Sequence, residues 1–444
     1  MTTECQVIEN QKNQSHLHKL FYTLDEFVEQ TDSFPAKIEE GYAMNFPDSA
    51  QRQLQPIKII QFWGGVPQSP NSKWLRTLRL VEKCSEQGWK SAVVFADKPQ
   101  SHDLLVPFLD AGAEILVHQR PPSSLNLDAV IKTYRFLRRH PCDLIHCHNR
   151  PAVPLLAAAL NHIPARVWSR LAMSSFYEEN KRPTGVHKLQ LNIRLSCFFS
   201  DKILCISQPV LDELATLCHS IVKKSVVGGV GFDLESYSSG VPNNIREEFS
   251  LSENDLVLVS VGHAVPVKGW DILLLAYSKF QRYFPQSKLL LVGSTELEHE
   301  KDFSQSLRQL LETLSLQKNV FFTGKRDDIP DILAVADIYV QPSRSEGLCG
   351  ALIEALAAGL PCIASNVGGI PDVIQDGKNG LLFERDDVNG LVERMLSLAQ
   401  NPIWRTTLSS NALPSVQHYG LERVTDAIIE TYKDLLTNRR VREI

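Results

Sequence analysis

The feature that most restricts how this chain can fold is a repeating unit: a short, almost purely apolar run, then a stretch with helical spacing, over and over from residue 57 onward. Ile57-Lys58-Ile59-Ile60-Gln61-Phe62 is such a run and ends in Gly64-Gly65. Leu75, Leu78, Leu80 and Val81 then recur at helical spacing between Trp74 and Cys84, Gly88 closes the helix, and Ser91-Ala92-Val93-Val94-Phe95 is extended again. The alternation continues through Ile115-Leu116-Val117, Asp143-Leu144-Ile145-His146, Ala165-Arg166-Val167-Trp168 and Lys202-Ile203-Leu204-Cys205-Ile206. Runs this short and this apolar must be covered on both faces, which predicts a parallel sheet between layers of helices.

The pattern restarts near residue 255. Leu256-Val257-Leu258-Val259-Ser260-Val261, Ser287-Lys288-Leu289-Leu290-Leu291-Val292, Asn319-Val320-Phe321-Phe322, Ile338-Tyr339-Val340 and Pro361-Cys362-Ile363-Ala364 are its strands. A chain of 444 residues is also too long for one ordinary core. The expected organisation is a polar extension over residues 1–53, one βαβ domain over 54–238, a second over 239–418, and a C-terminal amphipathic helix within 419–444. The segment Ser238-Ser239-Gly240-Val241-Pro242-Asn243-Asn244 reads as the linker. Open parallel sheets bind ligands beyond the carboxyl ends of their strands, so the cleft between the domains is the default site.

Composition narrows the partners. The net charge of -5 supplies no basic field for nucleic acid. Nine cysteines without a C-x-x-C spacing predict reduced core thiols in a cytoplasmic protein. No basic patch followed by an apolar stretch opens the chain, so a secretion signal is not expected. The longest mostly apolar stretch, residues 152–160, is far short of the ~20 residues of a membrane span.

The chemistry concentrates in the second half. After the run ending at Val340 come Ser345-Glu346-Gly347-Leu348-Cys349-Gly350, then Ala351-Leu352-Ile353-Glu354. Glu346 stands in a loop, Gly347 and Gly350 let backbone approach a ligand, and a helix opens near Gly350 whose free amides suit a diphosphate. Glu354, one turn inside, can accept hydrogen bonds from vicinal hydroxyls. Either glutamate alone reads first as a solvated loop acid or a complement to the helix dipole; only with the glycines and the strand–loop–helix setting does the functional reading take over. Gly262-His263-Ala264-Val265-Pro266-Val267-Lys268-Gly269 follows the strand ending at Val261. A glycine and then a lysine between strand and helix suit a phosphate, although the spacing is not that of a Walker A loop.

These stretches resemble the retaining glycosyltransferases of family 4 (glycosyl transferases group 1), of GT-B fold, from about residue 56 to the C-terminal helix and most closely over 259–382. The resemblance implies an α/β fold of two Rossmann-like domains facing across a cleft, with the C-terminal helix packing back on the N-terminal domain. Glu346 and Glu354 fall on the family's E-x7-E positions, so Glu346 is expected at the transferred sugar and Glu354 at the ribose. Lys268 matches the diphosphate lysine. His263 stands where the family usually has arginine, removing a permanent cation. Gly64 and Gly65 match the glycine pair after the first strand, though Pro67-Gln68-Ser69-Pro70 makes that loop atypical. His148, in Asp143-Leu144-Ile145-His146-Cys147-His148-Asn149, matches the family's active-site histidine. His146 stays open between a packed strand residue and a site residue. Residues 227–237 resemble the N-G-V-D-x-x-x-F turn, with Val230 for Asn and Asp233 as a turn cap. The base is expected near Lys325 and Arg326, largely on backbone groups.

The resemblance thus implies an enzyme that moves a sugar from a nucleotide-diphosphate sugar to a hydroxyl of a glycan, lipid-linked or small-molecule acceptor, in polysaccharide or glycoconjugate biosynthesis. The expected catalytic groups are His148, Glu346 and Lys268. No D-x-D occurs, so neither metal nor cofactor is expected. Arg138-Arg139-His140 and Lys181-Arg182 suit a peripheral membrane contact, an anionic acceptor or a plain solvated face, and Phe176 and Tyr177 fall in the expected acceptor loop. A nucleotide-sugar epimerase, a sugar phosphorylase and a non-catalytic sugar-nucleotide scaffold are the rival readings.

Overall fold

The computed structural model describes residues 56–63, 65, 71–97, 102–119, 126–148, 151–173, 186–228, 230–240, 244–295 and 301–440. The extension over residues 1–53, Gly64, Pro67 to Pro70, Phe176, Tyr177, Lys181, Arg182 and the centre of the expected linker lie outside them. From Pro56 on, the chain forms one compact unit built on two parallel sheets.

The first sheet contains β1 (Lys58–Phe62), β2 (Lys90–Phe95), β3 (Glu114–Val117), β4 (Leu144–His148), β5 (Ala165–Arg170), β6 (Lys202–Cys205) and β7 (Ser225–Val227), in the order β3-β2-β1-β4-β5-β6-β7. The second contains β8 (Val257–Val261), β9 (Lys288–Val292), β10 (Val320–Gly324), β11 (Ile338–Gln341), β12 (Cys362–Ser365) and β13 (Gly380–Phe383), in the order β10-β9-β8-β11-β12-β13. Consecutive residues of the central strands, such as Val257 to Val259 and Leu289 to Val292, have no exposed surface. Both faces are therefore covered, as the uniformly apolar runs require.

Each sheet winds outward in one direction and then returns to wind in the other. The reversal falls between β1 and β4 in the first sheet and between β8 and β11 in the second. At such a point the connections leave their strands in opposite directions and a crevice opens at the carboxyl ends. Four segments singled out by their motifs follow or end these four strands: Gly65 after β1, His148 at the end of β4, Gly262 to Lys268 after β8, and Glu346 to Gly350 after β11.

Two edge strands, β7 and β13, have no counterpart in the sequence reading. For β13 the reason is physical. Gly380 looks like the end of a turn, yet it is the first strand residue, and a Cβ there would lie 2.9 Å from the Cys362 carbonyl and 2.7 Å from Ile374. The glycine lets β12 close on the edge. Helices Val388–Gln400 and Pro402–Val416 complete this half.

The chain crosses between the halves twice, side by side. Phe232 N donates to the Tyr419 carbonyl (3.0 Å) and Leu421 N to the Phe232 carbonyl (2.8 Å). The last helix, Leu421–Arg440, then packs on the first sheet, with Val424, Ile428, Ile429 and Tyr432 buried against Ile59, Leu80, Cys84, Leu144 and Val167. Arg79 holds Glu422 through two bonds (2.6 and 2.9 Å) and Lys83 holds Asp426 (2.5 Å). No described helix is long and apolar enough to cross a membrane. The eight described cysteines are free thiols.

Ile428→Ala should cost about 2–5 kcal/mol, since it empties a site wedged between helix and sheet. A lower urea midpoint measures this loss; an unchanged midpoint would mean that the helix is not part of the first core.

Candidate active site

The strongest cluster joins the loops after β8 and β11. Gly269 follows the short 3-10 turn Pro266–Lys268 with φ of 67°, and a Cβ there would lie 1.9 Å from the Pro342 carbonyl. Only glycine allows both the left-handed turn and this approach. The turn lays the Lys268 stem over Gly262, whose Cβ position is 3.4 Å from the lysine methylenes. Lys268 Nζ then donates to Glu346 Oε1 at 2.7 Å. Glu346 Oε1 also accepts from Ser343 Oγ (2.7 Å), Ser343 accepts from Gln341 Nε2 (2.7 Å), and Gln341 Oε1 accepts from Tyr339 (2.5 Å). A buried relay thus fixes the carboxylate. Burial opposes the Lys268 charge, but the Glu346 carboxylate outweighs it and the ammonium pKa is raised.

The Glu346 loop is clamped by backbone. Gly368 has φ of 51°, and a Cβ there would lie 1.9 Å from the Glu346 carbonyl. Gly369 N donates to that carbonyl (3.2 Å), and Ser207 Oγ of the first half donates to the Gly347 carbonyl (2.5 Å). A side chain on Gly347 would meet Ala172 and Leu171, and one on Gly350 would meet the Phe232 ring at 3.0 Å. The expected approach of a ligand to these glycines is thus made by the chain's own first half. Helix Gly350–Ala357 begins where the motif placed it, with Cys349 as its cap residue and no side chain capping its amides. Leu348 and Cys349 are buried, and burial holds the Cys349 thiol neutral. The structure therefore assigns these two side chains to packing.

Glu354 faces Tyr237, whose phenol hydrogen-bonds its carboxylate. Burial raises the Glu354 pKa to about 7, with Tyr237 and Lys268 holding it back. Tyr237 was not among the expected site residues. Its signal was nonetheless present, since it stands where the resembled turn ends in phenylalanine, and the added hydroxyl is the group that reaches Glu354. Asp233 caps the short helix Leu234–Ser238 by accepting from Ser236 N.

Other expected residues are not drawn into this cluster. His263 and Lys325 are exposed. Arg326 donates to Glu248 (2.6 and 2.9 Å) and to Asp328 (2.8 and 2.7 Å), so the structure commits its guanidinium to two carboxylates rather than to a ligand. Gly65 borders open space, and Gly64 is not described.

In the first sheet His146 bonds Tyr432 through Nδ1 (2.5 Å) and Ser169 through Nε2 (2.7 Å), which makes it a packed histidine with both nitrogens used. His148 is buried, its ring centroid 4.4 Å from that of His146. Its Nδ1 lies 3.2 Å from Arg76 Nη2. Burial, then His146, Lys73 and Arg76, push the His148 pKa well down, so the ring is neutral. Arg76, another residue outside the motifs, is buried, and desolvation lowers its pKa to about 10.

Comparison with known proteins covers both halves. The Glycosyltransferase Family 4 model matches residues 75–235 and the Glycosyl transferases group 1 model residues 242–413. The chain is 27% identical to N-acetyl-alpha-D-glucosaminyl L-malate synthase of Bacillus anthracis, over 72% of this chain and 81% of that one. It is 25% identical to the UDP-Gal:alpha-D-GlcNAc-diphosphoundecaprenol alpha-1,3-galactosyltransferase of Escherichia coli, over 71% and 81%. Anabaena Alr3699/HepE in complex with UDP superposes with a TM-score of 0.72 at 21% identity, over 85% of this chain and all of that one.

A carboxyl whose pKa the fold raises stabilises the protein while protonated, and that contribution is lost as pH rises through about 7. Glu354→Gln, neutral throughout, should melt higher than wild type at pH 8 and close to it at pH 5. Parallel melting curves across that range would show that Glu354 ionises normally.

Proposed function

Because the chain belongs to the family 4 glycosyltransferases (glycosyl transferases group 1) and has the GT-B fold, we propose that it transfers a sugar, with retention and without a metal ion, from a nucleotide-diphosphate donor to a hydroxyl acceptor. The observation that carries this reading is the 2.7 Å bond between Lys268 and Glu346, which sets a cation and a carboxylate at the switch point of the second sheet. In the free protein the two neutralise each other. A diphosphate entering the crevice gives Lys268 a second anion, and Glu346, still held by Ser343, faces the transferred sugar.

The departing diphosphate would take its stabilisation from Lys268 and the uncapped amides that open helix Gly350–Ala357. The acceptor hydroxyl would attack from the face the diphosphate leaves, its proton passing to a phosphate oxygen. Glu354, once ionised, would accept from ribose hydroxyls, displacing Tyr237. The relatives support a nucleotide-sugar donor: the similar E. coli enzyme is a UDP-Gal transferase, and Alr3699/HepE binds UDP and UDP-glucose. Their acceptors differ, from L-malate to a diphosphoundecaprenol-linked sugar, so the acceptor of this chain is proposed only as a hydroxyl of a glycan, lipid-linked or small molecule.

A thermal-shift series with UDP-, GDP-, ADP- and dTDP-sugars should raise the melting temperature for one base class through mass action. With that donor, turnover should persist in EDTA. Lys268→Ala should lower kcat/KM by about 10²–10³, as loss of one preorganised donor does. Wild-type turnover by Lys268→Ala, or no shift with any donor, would refute the proposal.

A further inference from the structure

The first sheet's switch point contains a pair that neither the motifs nor the family comparison assigns: the guanidinium of Arg76 against the imidazole of His148. Arg76 lies on the helix Ser72–Glu86 that follows β1, and His148 is the last residue of β4, so the pair spans the two strands at which the sheet reverses. Both side chains are almost wholly buried, at 1% and 3% exposure. Arg76 Nη2 stands 3.2 Å from His148 Nδ1. Among the described residues, Arg76 Nε and His148 Nε2 have no hydrogen-bond partner.

The direction of the bond is set by chemistry. A guanidinium has five N–H donors and no acceptor, so the ring nitrogen it faces must be the acceptor. A neutral imidazole carries one proton, and with Nδ1 accepting, that proton is on Nε2. Placing it on Nδ1 would set two donors against each other in a buried site. His148 is thereby held as an Nε2–H donor with its ring plane fixed. The same tautomer holds in His146, where Gln61 Nε2 donates to Tyr432, Tyr432 to Nδ1, and Nε2–H to Ser169. The contrast lies at the far nitrogen. That of His146 is used inside the protein, whereas that of His148 is a buried donor with no partner among the described residues, a group that native structures rarely leave unsatisfied.

We infer that Arg76 is a positioning residue for the transfer: it locks His148 in the Nε2–H tautomer, so that His148 serves as a fixed hydrogen-bond donor to an oxygen of the bound sugar or acceptor and not as a general base. The inference rests on the proposed function for the identity of that oxygen. It needs no proton transfer by the histidine, in keeping with a mechanism in which the acceptor's proton leaves on phosphate.

The test uses the full chain labelled with 15N-histidine, His148 being assigned by its absence in His148→Gln. Long-range 1H–15N correlation at pH 7 should show Nδ1 bare and Nε2 protonated in the wild type and in Arg76→Lys, and mixed tautomers in Arg76→Met. Methionine replaces a buried cation that has no carboxylate partner by an apolar side chain of similar length, a change that tends not to cost stability; thermal melting checks that it folds. In turnover, Arg76→Met should lower kcat by roughly 10–100-fold with little change in donor KM, as expected for an interaction used in the transition state. His148→Gln keeps an N–H donor without a basic nitrogen and should retain far more activity than His148→Ala, which loses on the order of 100-fold. Protonated Nδ1 in the wild type, an unchanged tautomer in Arg76→Met, or His148→Gln as inactive as His148→Ala would overturn the inference. If the wild type turned over no nucleotide sugar, the proposed function would fail, while the spectra would still decide the role of Arg76.

Discussion

The site depends on one topological constraint. In a parallel sheet every crossover runs in the same hand, so strands added in sequence build outward in one direction until the chain returns to the starting strand and builds in the other. The two loops at the reversal diverge, and the space between them is the one place at a strand end that no crossover fills. This chain makes the reversal twice, at β1/β4 and at β8/β11. Lys268 and Glu346 are 78 positions apart in sequence, yet they meet because β8 and β11 are neighbours and Gly269 admits the Pro342 carbonyl at the base of both loops.

The two crevices handle buried charge in opposite ways. At the second sheet, cation and carboxylate are paired, and the carboxylate is held by a relay running back to Tyr339. Such a pair is not chiefly a source of stability, because the desolvation of both ions consumes most of the Coulombic gain. Its use is that each charge is already dry and oriented, so a ligand that replaces one partner meets the other in place. At the first sheet the buried cation forms no ion pair among the described residues and bonds the neutral imidazole of His148. The electrostatic cost of Arg76 is therefore borne by the fold, which is why its charge is better explained by what it does to His148 than by stability.

Much of this was legible in the residues. The apolar runs gave every strand but β7 and β13, because a strand buried on both faces leaves no alternative to an apolar sequence. Glu346, Gly350 and Lys268 were legible because glycine, acid and lysine at strand ends report backbone and charge requirements directly. The parts that stayed hidden depend on contacts between distant segments. Nothing local marks Gly380 as a strand residue, since its reason is the Cys362 carbonyl of the neighbouring strand. Nothing local marks Arg76 either, as one arginine in a helix that also carries Arg79, and only burial separates the two: Arg79 pairs with Glu422, while Arg76 turns inward to His148. Arg326 is a further contact set by distance, a cation at a strand end that bonds Glu248, 78 positions away, as well as Asp328.

The C-terminal helix connects these observations. It leaves the second half at Tyr419, crosses beside Phe232, and inserts Tyr432 under the first sheet, where that hydroxyl bonds both His146 and Gln61. His146 packs against His148, and Phe232, in the crossing segment, fills the space beside Gly350 at the start of helix Gly350–Ala357. The two crossing segments are joined at an isolated bridge between Phe232 and Gly420. The crossing therefore does more than return the chain to its first domain: the helix it leads into supports the histidine pair through Tyr432, and Phe232 within it packs beside the helix start at Gly350.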